Sequence, residues 1–212
     1  MNRRLLILIV PMLMLISSCI GKYSSDAQEA KIGKAQDEPN SRKEDTIQVD
    51  LSKSSIHWRG TKMRGAGKHE GQIDLISGFF LLDRDNLVGG RFTIDMNSIQ
   101  VTDIPEHEPV PRKRFNNHMR SEDFFHTSKY PTSEFTITKI NDLANDSILV
   151  SGNLTIKDIT RNVNFKAINR KGEFCTKFKF DRFEWNIAYK GSWADKTLVD
   201  KDIELSIKLK MK

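Results

Sequence analysis

The strongest hydrophobic pattern lies near the end of the chain. Ile203, Leu205, Ile207, Leu209 and Met211 alternate there with Glu204, Ser206, Lys208 and Lys210. Period two sustained in this way predicts an antiparallel strand with one face buried and one in water. Residues 174–180 repeat it, with Phe174, Phe178 and Phe180 on one face, as do residues 163–167 and 135–137. Residues 91–96 and 147–156 are rich in β-formers. Turn residues separate these runs: Ser77-Gly78 ahead of residues 79–82, residues 83–86 and Gly89-Gly90 around a hairpin, then Asn145-Asp146 and Lys171-Gly172. Counting from Ile47 gives about eight strands with no long helix between them, the pattern of a meander closed into a barrel or folded as a sandwich.

One stretch breaks the alternation. Pro105, Pro109 and Pro111 predict an extended loop, and residues 112–125 behind them predict one or two short helices. Phe115, Met119 and Phe124 of that insertion are placed to cover a barrel mouth, and Pro131 opens the next strand.

The first residues follow another rule. Arg3 and Arg4 precede an apolar run over residues 5–15, about half of what a helix needs to cross a bilayer. Ile16-Ser17-Ser18-Cys19 closes the run and resembles the lipobox of bacterial lipoproteins. That resemblance implies removal of a signal over residues 1–18 and acylation of Cys19, with palmitate-type chains as the membrane anchor; the alternative is an ordinary secretory signal with an incidental cysteine. Two or three acyl chains hold a protein on a membrane stably. By resemblance to the sorting rule of many Gram-negative lipoproteins, in which Asp in the next position retains the protein at the inner membrane, Ile20 implies the outer membrane, facing the periplasm. Residues 19–46 then read as the acylated cysteine and a flexible tether of low apolar content, reaching on the order of 30 Å, with at most a marginal helix around residues 28–35. Residues 47–212, about 166 in all, are left to form one domain with a sizeable core.

Charge and composition narrow the function. Losing residues 1–18 removes two arginines and no acids, so the net charge falls from +6 to +4. So mild a surplus, with lysines scattered along the strands, argues against nucleic acid. With Cys19 acylated, Cys175 has no partner and stability must come from the core; among strand Phe residues it reads as a small buried hydrophobe. No Gly-x-Ser-x-Gly elbow, Walker loop or Rossmann fingerprint is present, so no enzyme is expected. Glu106-His107-Glu108 near Asp103 has ligand atoms, and His118 precedes His126 by eight residues, but neither spacing makes a metal site, and no cofactor is called for.

Four ordered blocks resemble the YceI-like family. They are Gly90 to Asp95 with Ser98-Ile99; Ser121-Glu122-Asp123-Phe124-Phe125 with Lys129-Tyr130-Pro131 and Phe135; Ser151-Gly152-Asn153-Leu154-Thr155-Ile156-Lys157-Asp158-Ile159-Thr160; and Asp181-Arg182-Phe183-Glu184-Trp185-Asn186-Ile187. The resemblance implies an all-β, eight-stranded antiparallel lipocalin-like barrel with a short helical insertion, exported to the periplasm. It further implies a long isoprenoid partner, of polyisoprenoid or quinone type, held inside the barrel. Asp158 replaces the Gly usual in the family's hairpin and is expected to take its left-handed conformation. The Pro-rich loop is longer than expected, and Ser55-Ile56-His57-Trp58 matches the first-strand block loosely.

On this reading the lumen-lining residues are Trp58, Phe79, Leu81, Phe92, Ile94, Phe124, Phe135, Ile137, Phe165, Phe178, Phe180 and Trp185, for each of which plain core packing is the competing role. Arg112, Arg114, His118 and Arg120 are candidates for a polar head group, with solubility and local capping as the alternatives. Two rival functions stay open: an envelope structural or interaction protein with a solid barrel, and a lipid hydrolase with a His/Asp/Arg cluster at the mouth. The oligomeric state is open as well, a homodimer among the options.

Overall fold

A computed structural model describes residues 23–38, 45–84, 86–188 and 199–212. Residues 1–18 and Cys19, with the signal and acylation expected there, lie outside the described residues. Three short strands come first, β1 (Gln28–Glu29), β2 (Lys31–Lys34) and β3 (Asp45–Gln48). They are followed by β4 (Ser55–Lys62), β5 (Gly67–Asp83), β6 (Asn86–Val101), helix α1 (Pro109–Arg120), β7 (Thr132–Asp142), β8 (Ser147–Ile156), β9 (Ile159–Arg170), β10 (Glu173–Asp181) and β11 (Val199–Lys210). Strands β4 to β11 pair antiparallel in sequence order. β11 returns to β4 through pairs such as Leu205 with Trp58 and Ile207 with Ile56, which closes an eight-stranded barrel. The expected barrel with one short helix is therefore the fold.

Alternation puts apolar side chains inside. On β10, Phe174, Thr176, Phe178 and Phe180 are buried while Cys175, Lys177 and Lys179 face outward. Cys175 is thus a free, half-buried thiol on the outer face and not the core hydrophobe expected. One end of the barrel is filled by its own side chains: Phe80 is fully buried, with its ring 5.0 Å from Phe92 and 5.5 Å from Phe174, beside Val49 and Val150. The other end carries the β4–β5 turn, α1 and residues 182–188 after β10, and α1 covers it.

The insertion differs from expectation at its start. Pro109 and Pro111 lie in the first turn of α1, not in an extended loop. Amides of a first helical turn need no partner within the helix, so proline costs nothing there. The β8–β9 hairpin places the positive φ on Lys157 (58°), not on Asp158. Asp158 instead accepts a hydrogen bond from the Tyr130 hydroxyl at 3.2 Å.

The N-terminal segment is the largest departure. β9 and β10 pair only from Arg170 with Glu173 to Ile168 with Cys175, and beyond that the two strands part. β1 fills the opening as a parallel partner of β10, and β2 as an antiparallel partner of β9. Gln28 joins the two edges: its side chain accepts from the Lys166 amide at 2.7 Å and donates to the carbonyls of Lys166 and Lys177 at 2.7 and 3.3 Å. Neither a free coil nor a helix forms over residues 28–34, because two exposed strand edges supply the backbone partners that coil would take from water.

On either side this segment hugs the outer wall as a belt. The Tyr23 amide donates to the Gly65 carbonyl at 3.0 Å, and its hydroxyl to Glu204 at 2.9 Å. Ser25 also donates to Glu204, and Asp26 pairs with Lys177. Gln36 is bonded both ways to Asn153, at 3.0 and 2.7 Å, and Glu38 meets Arg91 at 2.7 Å.

Candidate functional site

The barrel is hollow. A cavity of about 260 Å³ runs from the mouth toward the filled end, and every barrel strand contributes to its wall. Phe92, Phe135, Phe165 and Phe178 form a connected aromatic band, with ring centroids 6.3, 5.8 and 4.3 Å apart along the series. Phe180 continues the band at 6.4 Å from Phe178. β11 supplies the facing wall through Ile203, Leu205, Ile207 and Leu209. Apart from Thr61, Lys62, His69 and His118, Ser133 is the one polar side chain among the described lining residues, and its hydroxyl is turned to the sulfur of Met96 at 3.0 Å.

Polar groups gather at the mouth, where Thr61, Lys62, His69 and His118 reach the cavity. Thr61 donates to Asp200 at 2.6 Å, and His69 lies 3.3 Å from the Asp103 carboxylate. α1 roofs this end. The Phe115 ring stacks over Trp58 at 6.3 Å and tilts against His69 at 4.5 Å, while Met119 and Phe124 close over the interior. The Asn116 side chain accepts from the Val101 amide at 2.8 Å and ties the helix to the end of β6.

Eight of the residues expected to line the lumen reach the cavity: Trp58, Phe92, Ile94, Phe124, Phe135, Phe165, Phe178 and Phe180. Four do not. Phe79 and Leu81 face outward, paired with Gln48 and Thr46 of β3. The register shift between Leu75 and Ser77 places the extra residue in β5 and reverses its alternation, so Phe80 takes the inward position. Ile137 is buried without reaching the cavity. Trp185 is fully buried, its indole donating to the Leu154 carbonyl at 3.0 Å.

Among the head-group candidates only His118 reaches the cavity. Arg112 is engaged by Glu106 at 3.3 Å, and Arg114 is exposed on the outer side of α1. Arg120 donates to the Ile99 carbonyl at 2.9 Å, while its buried Nε has no partner among the described residues. The β11 set escaped the list of candidates, although its alternation is the cleanest in the chain. Lys62 and His69 carry no pattern that marks them as mouth residues. Among the described residues no three His, Cys, Asp or Glu side chains converge to hold a metal ion.

The YceI-like domain model matches residues 47–211, the barrel without its belt. The chain belongs to the YceI-like family. UPF0312 proteins of Shewanella denitrificans and Shewanella baltica are 27% and 28% identical to it over 97 residues, covering 46% of this chain and 47% of theirs. The chain thus spans about half the length of the curated relatives it matches. Burkholderia cenocepacia BcnA superposes with a TM-score of 0.61 at 21% identity, over 76% of this chain and 98% of that one. A polyisoprenoid binding domain from Saccharophagus degradans, implicated in plant cell wall breakdown, superposes with a TM-score of 0.56 at 13% identity, over 78% and 97%. At such identities the two structures share a fold with this YceI-like barrel.

The family blocks have structural work in this chain. Gly152 of the hairpin block lets the Phe135 ring pass where a Cβ would lie 2.3 Å from it. Arg182 of the last block is buried and donates to the carbonyls of Asp200 and Val199, each at 3.1 Å, and to that of Ile187. Burial pulls its guanidinium pKa down, against the attraction of Asp181 and Asp200.

Proposed function

We propose that this YceI-like chain is a lipid-anchored carrier of the cell envelope that holds one long apolar chain, of polyisoprenoid or quinone type, for transport, storage or sequestration. The observation that carries the reading is the hollow lumen: a carbon-walled cavity that reaches the end of the barrel under α1. Its size falls just under the roughly 300–1,000 Å³ usual for small-molecule sites, which suits part of a thin hydrocarbon chain better than a bulky ring system. Each buried CH₂ contributes about 0.8 kcal/mol before ordering costs. Lys62, His69 and His118 stand where a polar head would leave the mouth. A polyisoprenoid binding domain of the same fold supports the ligand class. The lipobox-like end of the apolar run supports acylation of Cys19, and Ile20 supports the outer membrane, facing the periplasm.

Mass spectrometry of an organic extract of the purified protein tests the ligand. A co-purifying isoprenoid-type molecule is expected; repeated empty extracts, with no uptake of an added farnesyl-chain probe, would overturn the proposal. The anchor is tested separately by the mass of the mature N-terminal peptide, expected to begin at an acylated Cys19. An unmodified cysteine there would remove the anchor and leave the carrier.

A further inference from the structure

We infer that the mouth end of the barrel is a docking surface for an anionic lipid bilayer, so that the cavity opens onto the membrane. The helix above the mouth shows one face of this surface. Residues 112, 115, 116 and 119 of α1 turn inward or are partly covered, whereas Val110, Lys113, Arg114 and Asn117, at spacings of three, four and seven, are exposed. Val110 is 76% exposed, on the same helix face as two cations, Lys113 and Arg114. An outward helix face of this make-up suits the plane where lipid head groups meet acyl chains.

The β4–β5 turn repeats the pairing of an apolar tip with a cation. Met63 is 56% exposed and Arg64 lies next to it. Both have positive φ, and the Asp200 carboxylate accepts the amides of residues 64 and 65 at 3.0 Å each, which engages that acid within the turn. Phe183, 41% exposed after the end of β10, adds a third apolar point to the same rim. Among the described residues Arg64, Lys113 and Arg114 make no ion pair with a carboxylate, while Arg112 and Glu106 satisfy each other. The far end also exposes apolar residues, Leu51, Leu143 and Ile168; there Lys53, Arg170, Lys208 and Lys210 are paired with Asp50, Asp146 and Glu173, while Arg84 and Lys171 make no ion pair among the described residues. At the mouth, Arg64 adjoins Met63, and Lys113 and Arg114 follow Val110 by three and four positions on the exposed face of α1.

The chain also arrives at this end. Tyr23 is bonded to Gly65 in the β4–β5 turn, four residues after Cys19. Four extended residues span at most roughly 14 Å, so an acyl chain on Cys19 holds the mouth, not the far end, against the bilayer. A ligand entering from the membrane then need not cross water. The inference rests on the carrier reading for its purpose but not for its test.

The test uses the full mature protein on vesicles of phosphatidylethanolamine and phosphatidylglycerol, read by amide hydrogen exchange with and without lipid. Slower exchange is expected at residues 63–66 and 109–117 and unchanged exchange at the far-end hairpins around residues 83–86, 143–147 and 171–172. Protection of the far end instead, or of neither end, would overturn the docking. Substituting V110D and K113E together should slow uptake of a fluorescent farnesyl probe from those vesicles by about a hundredfold, because the pair shifts the local charge by three units and each contributes roughly a fivefold change in attraction to anionic lipid. Uptake of the same probe from detergent micelles should stay unchanged; equal slowing from both sources would show damage to the cavity and overturn the role of the rim. Failure of the wild-type protein to take up probe from either source would reject the carrier reading, while the exchange pattern would still decide the docking.

Discussion

A Cβ on Gly152 would lie 2.3 Å from the Phe135 ring and 2.9 Å from the Thr136 carbonyl. Phe135 belongs to the aromatic band and Thr136 to the sheet, so neither yields without disturbing the wall. Gly152→Ala is therefore expected to destabilise the barrel by about 2 kcal/mol, read as a fall in Tm of roughly 4–8 °C. Ile207 offers the opposite case, since it borders empty space. Ile207→Trp is expected to fill part of the cavity, leave Tm within a few degrees of wild type and reduce uptake of a farnesyl probe at least tenfold. Unchanged uptake by a folded Ile207→Trp protein would show that the lumen is not where the chain lies. The two substitutions separate what the wall needs in order to close from what the cavity needs in order to hold a guest.

The belt depends on Glu204, which is buried on the outer wall of β11. Burial raises the pKa of its carboxyl, but hydrogen bonds from Ser25 and Tyr23 and the charges of Lys177 and Arg59 outweigh that and leave it below the ordinary value. The folded state therefore binds a proton here less readily than the unfolded chain, whose glutamates titrate at about pH 4.3. The stabilisation is complete above that pH and is lost as pH falls through the lower folded value. Amide exchange at residues 28–34 is expected to accelerate below about pH 4 before the barrel strands do, and Glu204→Gln should accelerate it about tenfold at neutral pH, since charge-assisted hydrogen bonds become neutral ones. Equal exchange in both proteins would detach the belt from Glu204. No side-chain pattern announces this element. Lys31, Gly33 and Lys34 point to water, Ile32 is half-buried, and what orders them is the bare edge of β9, created some 130 residues further on. α1 was half legible for a related reason: its prolines read as loop because the test for a first helical turn is where the chain bends, not which residues it contains. β11 was legible outright, because uninterrupted alternation maps directly onto inside and outside. β5 was not, because the register shift between Leu75 and Ser77 moves its inward phase, and nothing in residues 75–77 marks it.

At the scale of the molecule, the cavity is the one feature that all eight barrel strands share. Its wall includes Trp58 on β4, Leu75 on β5, Phe92 on β6, Phe135 on β7, Leu154 on β8, Phe165 on β9, Phe178 on β10 and Leu205 on β11, with Phe115 of α1 above. A guest chain filling this cavity would touch every strand, and unfolding any of them would require its release. Binding to the folded state alone adds about 2.7 kcal/mol of stability at a ligand concentration one hundred times Kd. For a domain of this length that corresponds to a rise in Tm of roughly 5–10 °C. The rise is expected with a farnesyl-chain ligand and absent with its short polar head alone, because the walls are apolar and the polar groups stand only at the mouth. The belt lies outside this linkage: Tyr23, Gln28 and Ile32 contribute nothing to the cavity wall. Glu204→Gln should therefore lower the starting Tm while keeping the full ligand-induced rise, whereas Ile207→Trp should keep the starting Tm and lose the rise. A ligand response that disappears in Glu204→Gln would mean that the belt gates the lumen through the gap between β9 and β10, a route for the guest besides the mouth.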